Sequence, residues 1–426
     1  MKNNNYIFKK IFNHLNKYLI LIVFLIFSIN VYAQDVGEEL LPWQEGYFDI
    51  HHINTENGDA TFMIMPDGTT MLIDAGDKGK GTISEDGIKP NASHSPGEWI
   101  IRYIQHYLSW MEKPVLDYAI ISHFHGDHMG SITETAKTKM VNGYYLTGLT
   151  EVGEYIPIRK LIDRNYPDYD YPSPMQSGMI KNYRQFIEYS MKNRGLKVER
   201  AKPGSNKQVV LIHEPEKFLN FDIRIIAASG ELWTGIGDAI RQYLPINDEI
   251  DPNDPPEENS CSIVSRFSYG KFDYYTGGDI QGIPDPGRGG FQDIETPVAR
   301  VVGPVEVCKA NHHGFPLNMN SYFVKVLKAR TYVFFTYDQM HISEAVMSRI
   351  FSTRLYKGPR QVFATGIHEA TKAMLTIMGW YDRITGTSGH IVVRVEPGGD
   401  SYWVFTLDDT AETYKITGKY GPYDSN

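Results

Sequence analysis

Cysteine is almost missing from this chain: among 426 residues only Cys261 and Cys308 occur. Two thiols exclude a disulfide-built scaffold and any zinc site made of paired cysteines. Both lie in apolar, strand-like runs, where the sequence allows either a disulfide or two buried free thiols. An excess of positive charge is missing as well. The formal net charge is −9 and the isoelectric point is near 5.9, so no stable, sequence-independent nucleic-acid binding is expected. Beyond the first 33 residues no run is apolar enough to cross a bilayer, and no Ser or Cys stands in a nucleophile motif.

The N-terminus carries the one long apolar stretch. Lys2, Lys9, Lys10 and Lys17 form a basic region, Tyr18 to Ile29 is apolar, and Val31-Tyr32-Ala33 fits a cleavage site. Residues 1–33 therefore read as a signal peptide, and Gln34 as the mature terminus. Export to a periplasm or the outside is expected, with no membrane contact after cleavage. The apolar run is short for a span, and no nearby Cys offers a lipid anchor. About 390 residues remain, and a 42% hydrophobic content is ample for a core. They divide into an extension (34–46), a domain (47–410) and a C-terminal tail (411–426). Within the domain, halves at 47–247 and 259–410 are joined by an acidic, proline-rich linker at 248–258.

Ligand-type residues are concentrated in Ser122-His123-Phe124-His125-Gly126-Asp127-His128. The apolar run Val115 to Ile121 before them reads as a buried strand. Positions 123 and 125 share a direction off an extended segment, while Asp127 and His128 lie beyond the turn at Gly126. One loop can thus offer His123 and His125 to one divalent ion, and Asp127 and His128 to a second. Imidazole and carboxylate are ligands that zinc prefers.

This His-x-His-x-Asp-His stretch resembles the signature of the metallo-β-lactamase superfamily. Strands at 47–53, 58–65 and 70–74 precede it, with Pro66-Asp67-Gly68 as a hairpin turn. Gly58-Asp59-Ala60 with Leu72-Ile73-Asp74-Ala75-Gly76 is similar to the metallo-hydrolase domain of bacterial DNA-uptake proteins, the ComEC-like branch. That resemblance implies an αββα four-layer sandwich with two mixed β-sheets flanked by helices. It also implies that Asp74 supports the metal loop through hydrogen bonds without binding metal itself. His51 and His52 lie in the first strand, where one of them could reach the site. A helix over 97–110 should pack outside the sheet, and a second is expected over 180–193. The Tyr- and Pro-rich segment 166–174 reads as a loop or a substrate wall. His213, in the strand-like run 209–213, is the sole His available between His128 and His312 to complete the first metal site.

The second half supplies further donors. Gly277-Gly278-Asp279 follows a strand over 272–276, and Asp279 is placed to bridge two cations. Asn311-His312-His313-Gly314, after a strand over 305–310, resembles the His-His-Gly of the ComEC-like branch. One of these His residues should bind the second ion, with a lean towards His312, while the other, His313, faces substrate or a carboxylate. Tyr337-Asp338-Gln339-Met340-His341 stands where that branch has an Asn and a His. His341 is therefore a candidate to touch substrate or protonate a leaving group, although Asp338 and Gln339 depart from the pattern. Asp127 counts as catalytic as well as a ligand.

Two divalent ions about 4 Å apart, zinc or else manganese, would lower the pKa of a shared water and stabilise developing negative charge. β-Lactam hydrolysis is associated with Cys or Ser where Asp279 stands here, and a bridging carboxylate with phosphodiester, thioester or lactone cleavage. The first expectation is a phosphodiesterase acting on a small or polymeric ester, either nucleic acid or a phosphocholine-type ester. A carboxylic-ester or lactone hydrolase comes second and a β-lactamase third. A binding protein with structural metal is the alternative of another class.

Overall fold

The computed structural model describes residues 34–79, 87–132 and 139–426, so the leader expected at 1–33 lies outside the described residues. Elements follow in the order β1 (Phe48–His52), β2 (Thr61–Ile64), β3 (Thr70–Ile73), α1 (Pro96–Tyr107), β4 (Leu116–Ile120), α2 (Gly126–Met129), β5 (Met140–Val141), β6 (Tyr144–Tyr145), α3 (Gly148–Tyr155), β7 (Ile158–Asp163), α4 (Gly178–Arg194) and β8 (Lys197–Arg200). Then come β9 (Phe221–Ala228), β10 (Glu231–Trp233), β11 (Ile240–Gln242), β12 (Val264–Tyr269), β13 (Phe272–Thr276), α5 (Glu295–Val302), β14 (Val307–Lys309), α6 (Ser321–Leu327) and β15 (Thr331–Phe334). The chain closes with α7 (Glu344–Ile350), β16 (Gln361–Ala364), α8 (Glu369–Ile377), β17 (His390–Val395), β18 (Ser401–Leu407) and β19 (Ile416–Asp424).

Two large mixed sheets result. One runs β19-β18-β17-β1-β2-β3-β4-β7-β8 and the other β11-β10-β9-β12-β13-β14-β15-β16. Period-two alternation explains how they stack. Met63, Met71, Ile73, Val393 and Val395 point to one side of the first sheet and meet Ile223, Phe267, Val307, Val333 and Phe363 of the second. The intervening residues Phe62, Ile64, Leu72 and Val392 point the other way, onto α1, α3 and α4. Cys308, Tyr332 and Val362 likewise face α5, α6 and α7. Three buried interfaces therefore separate four layers. This is the αββα sandwich of metallo-β-lactamase type expected above.

Several local expectations are corrected. The tail expected at 411–426 contains β19, which pairs antiparallel with β18, and the extension at 34–46 bridges back to it at Glu39 and Lys415. Both halves contribute to each sheet, since β17, β18 and β19 return to the first sheet and β9, β10 and β11 belong to the second. Residues 209–213 form no strand. Their backbone is held by side chains instead: Val210 N donates to the Tyr118 hydroxyl, and His213 N to Asp67 Oδ2. The linker at 248–258 is exposed at its start but turns inward, with Pro256 buried. The segment 166–174 is a loop, as expected, anchored by Tyr169, which is buried with its hydroxyl on Asp163. Both cysteines are free and buried.

Glu258, at the inner end of that linker, holds the two sheets together beside the ligand loop. Its carboxylate accepts from Phe124 N at 2.8 Å and from Arg164 Nε at 2.7 Å, and Arg164 is fully buried. Burial opposes the charge on Glu258, but the Arg164 guanidinium outweighs it and holds the carboxyl below its usual range. Glu258→Gln should therefore lower unfolding stability by about 3 kcal/mol, because it strands a buried guanidinium; urea unfolding at pH 7 checks this. The folded-state value is depressed, so the contribution is complete above the ordinary glutamate pKa of about 4.3 and is lost as pH falls through the lower folded value. Wild type and variant should converge in stability in strong acid.

Candidate metal centre

The parallel strands β3-β4 and β13-β14-β15 end along one edge of the sandwich, and ligand-type side chains follow each of them. Asp74 follows β3, residues 122–128 follow β4, Asp279 follows β13, His312 and His313 follow β14, and Tyr337 follows β15. Backbone hydrogen bonds lock these loops together. Ala75 N donates to His128 O and Asp59 N to Asp127 O, both at 2.8 Å, and Ile263 N donates to Ser122 O at 2.9 Å. Asp74, His312 and His313 all have positive φ, a conformation that side chains rarely adopt and that the surrounding contacts must impose.

Asp74 is hydrogen-bonded to the loop at 122–128. Its Oδ1 accepts from Ser122 N at 2.7 Å, and its Oδ2 lies 2.8 Å from His128 Nδ1. The proton on Nδ1 leaves His128 Nε2 to face Asp279 Oδ2 at 3.2 Å, and Nε2 is buried without a hydrogen-bond partner. A second pair repeats the design. His313 Nδ1 lies 3.2 Å from Asp59 Oδ1, and its Nε2 faces Asp279 Oδ2 at 3.3 Å. Carboxylate–imidazole pairs of this sort fix ring orientation and raise ligand basicity.

The remaining expected donors stand around these groups. His123 Nε2 is 3.8 Å from Asp279 Oδ2 and 3.1 Å from His125 Nδ1. Asp127 Oδ2 is 3.7 Å from His313 Nε2. Two groups could each hold an ion: His123, His128 and Asp279; and Asp59, His128 and His313. His312 stands at the rim. Its ring stacks on Phe315, its Nδ1 meets Asn318 Oδ1, and its Nε2 is 4.0 Å from Asp279 Oδ2. Of the two, it is His313 that faces Asp279, Asp127 and Asp59 together, against the lean towards His312.

Charge in the centre is consistent with a cation site. Burial lowers the pKa of His123, helped by neighbouring His128, so it stays neutral and free to donate a lone pair. Burial also opposes charge on His128 and His313, but the carboxylates outweigh it. Asp279, Asp74 and Asp59 raise His128 well above its usual value, and Asp279 and Asp59 raise His313 to about 9. Those carboxylates favour any cation placed between them. Asp279 itself is held well below the carboxylate range; burial opposes this, and the His residues outweigh it. The donor set of imidazole nitrogens and carboxylate oxygens, with an orphaned Nε2 aimed at a buried carboxylate, fits two divalent ions.

His341 is buried and lies beside the centre, its ring stacked on His313 at 4.5 Å. Its Nδ1 accepts from Tyr337 N, so Nε2 carries the proton. His213 is corrected outright, because it sits with Asp117 at the start of β4, the opposite end from the ligand loop. His51 packs on Tyr103 and Tyr107, and His52 bonds to Ile391 O and the Tyr274 hydroxyl; neither enters the site.

Sequence reading missed Asp59, Lys309 and Tyr337 as members of the centre. The Tyr337 hydroxyl lies 2.8 Å from both Asp127 Oδ2 and His313 Nε2. The one sequence signal for Lys309 was a charge at the end of an otherwise apolar strand. Gly58 and Gly76 matter through close approach: a Cβ on either would run into the carbonyl oxygen of Asp127. Gly76→Ala should therefore displace the ligand loop, and metal analysis after loading should find less than half the wild-type content.

No protein-family model matches the chain, and no curated protein matches it in sequence. Among solved structures it resembles CmlA, a diiron beta-hydroxylase from Streptomyces venezuelae, at 12% identity and a TM-score of 0.37. That match covers 84% of this chain and 55% of the other, so the chain spans little over half of that protein's length. A diphosphatase of the PhnP family matches at 12% identity with a TM-score of 0.29, over 68% of this chain and 86% of that one. Likeness of this degree says nothing of chemistry, and the fold assignment rests on the strand order and layers themselves.

Proposed function

We propose that this chain is an exported, metal-dependent hydrolase of the ComEC-like type, cleaving phosphodiesters. The observation that carries the proposal is the convergence of His128 Nε2 and His313 Nε2 on one oxygen of Asp279 at 3.2 and 3.3 Å. Each ring is aligned from behind by its own carboxylate, Asp74 or Asp59. His123, His125 and Asp279 would hold one ion, and Asp127, His128, Asp279 and His313 the other, with zinc first and manganese second. When bound, such ions activate a water and stabilise negative charge on the substrate.

The protein's own groups do the rest. Asp74 and Asp59 keep protons on the Nδ1 atoms and so present both Nε2 atoms towards Asp279. Tyr337 places a hydroxyl donor 2.8 Å from Asp127, in reach of an oxygen held at the second site. Lys78 lies 5.3 Å over the Tyr337 ring and 3.5 Å from Asp338, a partly exposed cation at the mouth that suits an anionic ester. His341 supports His313 by stacking and offers Nε2–H as a donor towards a leaving group. The acidic surface, with a net charge of −9, favours a small or short ester such as a phosphocholine-type ester over tight duplex binding.

Turnover of bis-p-nitrophenyl phosphate, compared with a lactone and nitrocefin, each with and without chelator, tests this reading. Chelator-sensitive diester turnover is expected to exceed the other two. A preference for the lactone would move the assignment to carboxylic-ester hydrolysis. No turnover of any ester with metal bound would make this a binding protein. Export is tested separately, by N-terminal sequencing of the secreted protein, which should begin at Gln34.

A further inference from the structure

One buried charge has no part in the mechanism above. Lys309 ends β14, and its side chain is 3% exposed. Its ammonium pairs with Asp59 Oδ2 at 2.5 Å, donates to Gly278 O at 3.2 Å, and stands 3.9 Å from Asp279 Oδ1. Lysine sits this deep only when a carboxylate balances it, and Asp59 does so. But Asp59 is no bystander. Its other oxygen lies 3.2 Å from His313 Nδ1, and Asp59, His128 and His313 bring donor atoms close enough to share one ion. An ammonium on Asp59 therefore competes directly with a metal for that carboxylate.

We propose that Lys309 is a resident cation of the centre: it keeps Asp59 out of the second ion's ligands and leaves the loaded site with a surplus positive charge that selects anionic esters. The inference rests on the two-ion reading above. Asp59 and Lys309 cancel, and two divalent ions then face the three carboxylates of Asp74, Asp127 and Asp279, which leaves one positive charge over. Removing Lys309 cancels that charge and frees Asp59 to bind metal. Neutralising Asp59 alone doubles it. Changing both restores the original count. At these separations, inside the protein, a unit charge changes an ion's affinity by about tenfold or more.

The test is a titration of the full mature chain with Co(II), followed by its visible absorbance against a competing chelator. The single variants Lys309→Met and Asp59→Asn are compared with the double variant carrying both. Asparagine keeps an oxygen for His313 Nδ1, so the charge is what changes. The second equivalent should bind about tenfold tighter than wild type in Lys309→Met, about tenfold weaker in Asp59→Asn, and within about threefold in the double variant. Should Lys309→Met fail to fold, the weakening in Asp59→Asn and its recovery in the double variant decide the matter. Inorganic phosphate titrated calorimetrically into the zinc-loaded proteins should bind about tenfold more weakly to Lys309→Met than to wild type, and normally to the double variant. Weakening of cobalt binding in all variants alike would overturn the inference and leave Lys309 a packing residue. Fewer than two equivalents in the unsubstituted chain would overturn the two-ion reading itself.

Discussion

Asp279→Ala is expected to lower phosphodiester turnover by about a thousandfold or more and to leave at most one ion per chain. Four imidazoles look at this one carboxylate: His128 at 3.2 Å, His313 at 3.3 Å, His123 at 3.8 Å and His312 at 4.0 Å. It belongs to one of the two donor groups and lies 3.2 and 3.3 Å from His128 and His313 of the other. Without it, the field that raises His128 and His313 loses its largest source, and the rings repel a cation as well as each other. Far-UV circular dichroism should remain that of the wild type, because Asp279 follows β13 and its backbone N–H, which donates to Ser262 Oγ, is untouched. Metal content and turnover, measured on the same folded sample, separate loss of the site from loss of the fold.

The two neighbouring His residues should behave very differently. His313→Ala is expected to reduce turnover by about a hundredfold and to remove the second ion, whereas His312→Ala should cost about tenfold or less. His313 touches Asp59 with one nitrogen and faces Asp279, Asp127 and Tyr337 with the other. His312 spends its ring on Phe315 and its Nδ1 on Asn318. Both positions have positive φ, at 46° and 54°, so both alanine variants carry the same backbone cost of about 1 kcal/mol. The comparison is therefore controlled within itself. Equal losses of metal would mean that both rings are ligands.

The ligand loop was legible because its residues are contiguous and sit where an apolar strand stops. Asp74, Asp279 and the His312–His313 pair were found for the same reason, each following a buried run with glycines beside it. Asp59, Lys309 and Tyr337 were not, because each enters the centre from a different strand and none stands in a cluster of ligand-type residues, although Asp59 lies in one of the stretches that carried the resemblance. Asp59 precedes β2, an antiparallel strand whose start lies at the same edge as the parallel strand ends. Only the register of β2 with β3 brings it there. Strand β19 escaped for a different reason: Ile416 to Asp424 includes Gly421-Pro422 and lacks alternation. That proline is tolerated because it falls in a register shift of this edge strand, between Tyr420 and Tyr423, where it pairs with no residue of β18. Residues 209–213 misled in the opposite direction, being apolar enough for a strand yet tied down by the side chains of Tyr118, Thr69 and Asp67.

Anomalous diffraction from crystals of the purified chain, collected above and below the zinc edge after loading, tests the central claim most directly. The account predicts two peaks flanking the Asp279 carboxylate, one beside His123 and His125 and one beside Asp127 and His313, both removed by chelator. A folded chain showing no peak there after loading with zinc or manganese would contradict it.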